Sequence, residues 1–139
     1  MNEYKIAAVP GDGVGNEIIP AGIEVLDKAA EQFGFALEYE QFPYGAGYYK
    51  QTGAFMPDDA IETLAAFDAI YFGAVGLPDV DDTLPAKLFT FKVRTSFDQY
   101  VNFRPARLLP GIEGPLRNKT HEDIDLVVIR ENTEGEFVQ

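Results

Sequence analysis

Cysteine and tryptophan are absent from this 139-residue chain, and there is one histidine, His121, and one serine, Ser96. Without cysteine, disulfides and thiolate chemistry are excluded. One imidazole and no thiol supply too few ligands for a zinc site of the usual kind. A Ser–His triad would have to bring Ser96 and His121 into one site, and His121 lies among charges in HEDID, a surface-loop composition. No apolar run approaches the ~20 residues that cross a bilayer. The start, MNEYKIAAVPGDG, has neither the basic flank nor the apolar block of a signal peptide. A soluble, cytoplasmic protein without a membrane partner is the expectation.

Basic residues are also scarce, and unevenly so. Residues 1–86 contain three (Lys5, Lys28, Lys50) against fifteen acids, whereas residues 87–139 contain eight of each. Nucleic-acid binding, which needs a basic surface for phosphate, is excluded. Positive potential is concentrated after Lys87, where a small anion would be drawn.

What is present is an ordinary globular composition, 46% hydrophobic and 24% charged, with thirteen glycines and enough residues for one core. YKIAAVP reads as a buried strand, GDGVGNE as a turn, and IIPAGIEVLDKAAEQFGF as a helix. Its expected buried face is Ile18, Gly22, Val25, Leu26, Ala29 and Phe33, with Asn16 as N-cap and Pro20 in the first turn. Strand, glycine turn and helix open an α/β unit. GDGVGN lacks the last glycine of G-x-G-x-x-G and is read as a tight turn needing positive φ, not as a Rossmann phosphate loop.

FALEYEQFPY alternates as a second strand. GAGYYKQTGAFMPDD is a short aromatic helix or loop, and Pro57 starts a helix over DDAIETLAAFD. AIYFGAVG is a third strand ending in glycines, and LPDVDDTLPAK a mobile, proline-punctuated loop. Asp79, Asp81 and Asp82 in that loop have the chemistry to hold Mg²⁺ or Ca²⁺ but no EF-hand spacing, and a solvated loop accounts for them equally.

The second half carries the strongest anion chemistry. Arg94 and Arg104 flank RTSFDQYVNFR, and Arg130 closes the apolar run IDLVVIR. The stretch before Arg94 fits a helical face only loosely, and YVNFRPARLL alternates as a strand that Pro105 confines to an edge or an end. A helix running into a strand would let the first two arginines converge. IDLVVIR reads as a buried strand delivering Arg130 at its C-terminal end. Three guanidiniums at element ends suit a di-anion, since each offers a planar fork of donors to a carboxylate. The alternative is that each pairs with Asp98, Glu131 or Glu134 on the surface.

These residues also resemble a known family. IAAVPGDGVGNEIIPAG, YYKQTGAFMPDDAIETL, FGAVGLP, VRTSFDQYVNFRPARLLPGI and VVIRENTEGEF run in order as in the N-terminal part of the β-decarboxylating dehydrogenases, the isopropylmalate/isocitrate dehydrogenase family. FDQYVN and YYKQTG most resemble its tartrate/D-malate dehydrogenase branch. The resemblance implies an α/β fold with a non-Rossmann sheet and flanking helices, truncated here. Residues 1–98 would belong to a first α/β domain, and residues 99–139 would begin a second domain of substrate binding and dimerisation.

It further implies that Arg94, Arg104 and Arg130 hold the carboxylates of a small dicarboxylate substrate, with Thr90 at its variable group. Asn102 and the turn Gly73, Ala74, Val75, Gly76 would lie along NAD. The implied reaction is NAD-dependent oxidation of a malate- or tartrate-type 2-hydroxy acid, with loss of a β-carboxylate assisted by Mg²⁺ or Mn²⁺ in a homodimer. The chain departs from the pattern at Phe137, which stands where the family has a proton-handling tyrosine, and the lysine and metal-binding aspartates fall outside it. An isolated fragment with little or no activity is therefore expected. A non-catalytic assembly module of the same fold, or an isopropylmalate dehydrogenase fragment, are the alternatives.

Overall fold

The computed structural model describes residues 2–134 and divides at the chain contacts into two units, residues 1–93 and 94–139. Phe137 lies outside the described residues.

The first unit is organised on β1 (Asn2–Gly11), the central strand of a sheet of order β2–β1–β3 in which β2 (Phe35–Gln41) and β3 (Ala69–Ala74) both run parallel to it. Ala7, Ala8 and Val9 are almost wholly buried, as a strand covered on both faces requires. Helix α1 (Gly15–Phe33) crosses from β1 to β2 and stops at Gly34, whose φ of 76° is the left-handed conformation that ends helices. Helices α2 (Ala46–Thr52) and α3 (Ala60–Leu64) connect β2 to β3. Phe42, Tyr44, Phe55, Met56 and Leu64 fill the core beside them, and Phe42 meets Phe67 edge to face at 5.4 Å.

Several local expectations need correction. The buried face of α1 is Gly15, Ile19 and Ala30, with Gly22, Leu26 and Ala29 half-buried or nearly so, whereas Ile18, Val25 and Phe33 are exposed. The helix carries adjacent apolar stripes, and the one packed on the sheet runs through Gly15, Ile19 and Ala30, with Gly22 against the Tyr71 side chain. Asn16 is not the N-cap; Val14 occupies that position without a side-chain bond, so the helix starts earlier and Pro20 falls in its second turn. The third helix is confined to Ala60–Leu64.

LPDVDDTLPAK is not wholly loop. A helical run begins at α4 (Thr83–Pro85), widens into a π turn over Ala86–Thr90 and continues as α5 (Phe91–Ser96), straddling the division between the units. The π turn shifts the face by one residue, which is why the apolar spacing there fits a helix only loosely. Phe89, buried in that turn, stacks on Phe72 of β3 at 5.3 Å.

The second unit is an antiparallel ribbon of β4 (Val101–Arg107) and β5 (Asp125–Glu131). β5 was expected as a buried strand. It is instead paired only with β4 among the described residues, and Leu126, Val127, Val128 and Ile129 are each about half exposed or more. A two-stranded ribbon offers no second layer to bury them. Pro105 sits mid-strand without disrupting it, because each strand of a two-stranded ribbon is an edge. Among the described residues no helix is long and apolar enough to cross a membrane.

Candidate active site: a guanidinium cluster and an open cleft

In an antiparallel ladder, directly opposed residues project to the same face and alternate along each strand. Asn102 opposes Arg130, and Arg104 follows Asn102 by two, so all three side chains lie on one face of the ribbon. Val101, Phe103, Pro105 and Arg107 take the other face, opposite Glu131, Ile129, Val127 and Asp125.

Arg94, in the last turn of α5, is half-buried, and burial, then the guanidiniums of Arg130 and Arg104, hold it below its ordinary pKa. The second unit thus places Arg130 and Arg104 near enough to Arg94 to disfavour its charged form. Arg104 lies mid-strand and not at an element end, whereas Arg130 is the penultimate residue of β5. Asn132, 5% exposed, receives a long 3.5 Å hydrogen bond from Arg94 Nη1. Its only sequence signal is its place two residues after Arg130, at the end of an apolar strand.

The carboxylate closest in sequence is engaged elsewhere. Glu131 accepts from the Thr133 amide and hydroxyl, each at 2.6 Å, and from the Glu134 amide at 2.9 Å. Those donors, the Thr133 hydroxyl foremost, bring Glu131 down to about 2. Among the described residues no ion pair joins a carboxylate to Arg94 or Arg104; the pair Arg107–Asp125, at 3.8 Å, is exposed and on the opposite face. Surface pairing with Asp98 or Glu131 therefore does not account for Arg94 and Arg104.

In the first unit, Gly73 and Ala74 end β3, and Val75 and Gly76 turn away from it beside the loop that follows β1. β2 and β3 flank β1 on opposite sides, so the strand order switches direction at β1, and the C-terminal edge of the sheet there is the usual ligand crevice of an open parallel sheet. An open cleft of about 550 Å³ lies there, lined by residues including Gly11, Asp12, Asn16, Tyr48, Gln51 and Leu77. Gly11 and Gly13 have positive φ, as the tight-turn reading requires, while Gly15 is needed for another reason: a Cβ there would lie 1.9 Å from the Pro10 carbonyl. Thr90 closes the π turn, half-buried.

Asp12 is the residue of this region that sequence reasoning missed. It is 6% exposed, and its carboxylate accepts from the amides of Ala46, Gly47 and Gly76. The only hint was an acid enclosed by glycines. The loop aspartates do not converge: Asp79 pairs with Lys50 and Asp81 binds the Thr83 amide and hydroxyl. Among the described residues no group of three His, Asp or Glu is placed to hold a metal. His121 is exposed in the turn closed by Thr120 and Asp123.

Residues 5–139 match the family model described as isocitrate/isopropylmalate dehydrogenase. The chain is 54% identical over 139 residues to D-malate dehydrogenase [decarboxylating] of Escherichia coli (strain K12), and 51% identical over 138 residues to the tartrate dehydrogenase/decarboxylase of Pseudomonas putida. It spans 99% and 98% of its own length in these matches but 38% of each relative. Isocitrate dehydrogenase from Methylococcus capsulatus superposes with a TM-score of 0.75 at 26% identity, over 96% of this chain and 36% of that one. The sequence motifs, the parallel sheet and these matches agree: the chain belongs to the isocitrate/isopropylmalate dehydrogenase family.

Proposed function

We propose that this chain is the N-terminal portion of an NAD- and divalent-metal-dependent dehydrogenase that oxidises and decarboxylates a malate- or tartrate-type 2-hydroxy acid. One observation carries the proposal: Asn102, Arg104 and Arg130 share a ribbon face, and Arg94 is close enough to be perturbed by both other guanidiniums. Like charges held together and partly desolvated are costly unless an anion joins them. A small dicarboxylate supplies two carboxylates for the planar donor forks. The names of the similar proteins, D-malate and tartrate dehydrogenases, support the choice of acid.

In this reading the arginines bind and orient the acid, Asn132 holds Arg94 in place, and Asn102 faces the same side as Arg104 and Arg130. The family resemblance assigns Thr90 to the substrate's variable group, where a hydroxyl suits a polar substituent better than an isopropyl group. Gly73, Ala74, Val75 and Gly76 do not line the open cleft, which Leu77 after them and the glycine backbone of Gly11, Gly13 and Gly47 border; in this reading that side of the first unit receives part of NAD, which accepts the C2 hydride when bound. The divalent metal finds no ligand set among the described residues, and no step is assigned to it. Phe137, which stands where the family pattern has a tyrosine, has no hydroxyl with which to hold or move a proton.

Calorimetric titration of the chain with D-malate and tartrate tests this reading. Arg94→Gln is expected to weaken binding at least tenfold, about 1.4 kcal/mol, while Arg107→Gln on the opposite ribbon face leaves it unchanged. Equal effects of the two substitutions would sink the reading. A homodimer is a second element of the proposal, favoured by the apolar ribbon face on which Phe103 and Ile129 are more than 60% exposed.

A further inference from the structure

The buried carboxylate of Asp12 joins three separate stretches of the first unit. Its Oδ2 accepts from Ala46 N at 2.7 Å and Gly76 N at 3.0 Å, and its Oδ1 from Gly47 N at 2.7 Å. Its own amide donates to the Ala74 carbonyl at 2.6 Å. The loop after β1, the entry to α2 and the turn after β3 therefore meet on one side chain. Each of these stretches contributes to the cleft, through Gly13 and Asn16, Gly47 and Tyr48, and Leu77 respectively.

The chemistry of this junction requires a carboxylate. Three N–H donors converge on two oxygens, and no cation is among the hydrogen-bond partners. An asparagine has the same shape but one acceptor oxygen, so its NH₂ would face an amide donor and leave it buried without a partner. The surrounding backbone is shaped to receive the carboxylate. A Cβ on Gly45 would come 2.7 Å from Oδ2 and one on Gly47 3.3 Å from Oδ1, while Gly76 holds a φ of 138° that side chains rarely adopt.

We propose that Asp12 is a positioning residue that fixes the walls of the cleft, and through the Gly76 amide the turn along which NAD lies. This rests on the cofactor reading above for its consequence, though not for its geometry. Asp12 acts through the chain it ties together, its carboxylate oxygens being taken up by the three amides.

The test compares the ¹⁵N-labelled wild-type chain with Asp12→Asn, reading amide shifts and hydrogen exchange at Ala46, Gly47 and Gly76 together with titration by NAD⁺. In the wild type all three amides should exchange slowly. In the variant they should shift together and exchange at least tenfold faster, with Ala7 and Ala8 amides unchanged and NAD⁺ affinity at least tenfold weaker. Exchange within twofold of wild type at all three amides would overturn the clamp. Responding amides with unchanged NAD⁺ affinity would overturn the positioning role. If the wild type binds no NAD⁺ while the amides respond, the cofactor reading fails and the clamp stands. Should Asp12→Asn not fold, Gly45→Ala, which sets a methyl against Oδ2, gives the same readout, and slow exchange at Ala46 and Gly76 in it would refute the clamp.

Discussion

Replacing Gly15 with alanine puts two opposing effects in competition. Alanine in place of glycine inside a helix is favourable by about 1 kcal/mol, and less at the first helical residue. Against this, the new Cβ would lie 1.9 Å from the Pro10 carbonyl oxygen, 2.9 Å from Ala74 N and 3.0 Å from the Pro10 carbonyl carbon. All three are backbone atoms on the ends of β1 and β3, so no side chain can swing aside. Relief requires the helix start to move off the sheet edge by about 1 Å, an overpacking displacement of the kind that costs about 1–3 kcal/mol.

The net expectation is a loss of about 1–2 kcal/mol, or roughly 4–8 °C in the midpoint for a chain of this size. Gly22→Ala is the control, because its Cβ would meet only the Tyr71 side chain, 1.8 Å from the hydroxyl oxygen, and that ring can rotate. Its helix-propensity gain offsets much of the disturbance, leaving a change within about 1 kcal/mol. Thermal and urea unfolding followed by far-ultraviolet circular dichroism would rank the two. A Gly15→Ala midpoint equal to or above that of Gly22→Ala would refute the claim that rigid backbone contact governs this position.

Two further expectations concern the second unit. Glu131 is depressed from its ordinary 4.5 to about 2, so its turn is fully stabilised above pH 4.5 and loses that support as the pH falls through about 2; the Thr133 and Glu134 amide resonances should move over this interval, and constancy between pH 5 and 2 would contradict the assignment. Self-association through the apolar ribbon face should be concentration-dependent and abolished by Phe103→Glu; sedimentation equilibrium giving a monomer for the unsubstituted chain at 100-fold different loadings would refute it.

The sequence carried the order of elements because its signals were local. IAAV could only be a covered strand, and Gly34 ended α1 through its own backbone freedom. The three arginines stood out by residue type, and the strand after Arg94 by the alternation of YVNFRPARLL. Periodicity could not decide which apolar stripe of α1 faces the sheet, since Ile18 and Val25 are as apolar as Ile19 and Leu26; the choice depended on packing against strands distant in sequence. Nor could it place β5, because an apolar run reads alike whether a second layer covers it or not.

By itself, then, the sequence determined the parallel α/β unit, the three guanidiniums and the family pattern, all properties of residue type and short-range spacing. Only the tertiary structure decided what the charges do. Strand register put Asn102, Arg104 and Arg130 on one face, the Thr133 turn took Glu131 out of competition, and folding brought Ala46, Gly47 and Gly76 onto Asp12 across as many as 64 residues. Hydrogen bonds and charge interactions depend on distances in space of a few ångström, and those are set by packing between segments that no local pattern connects.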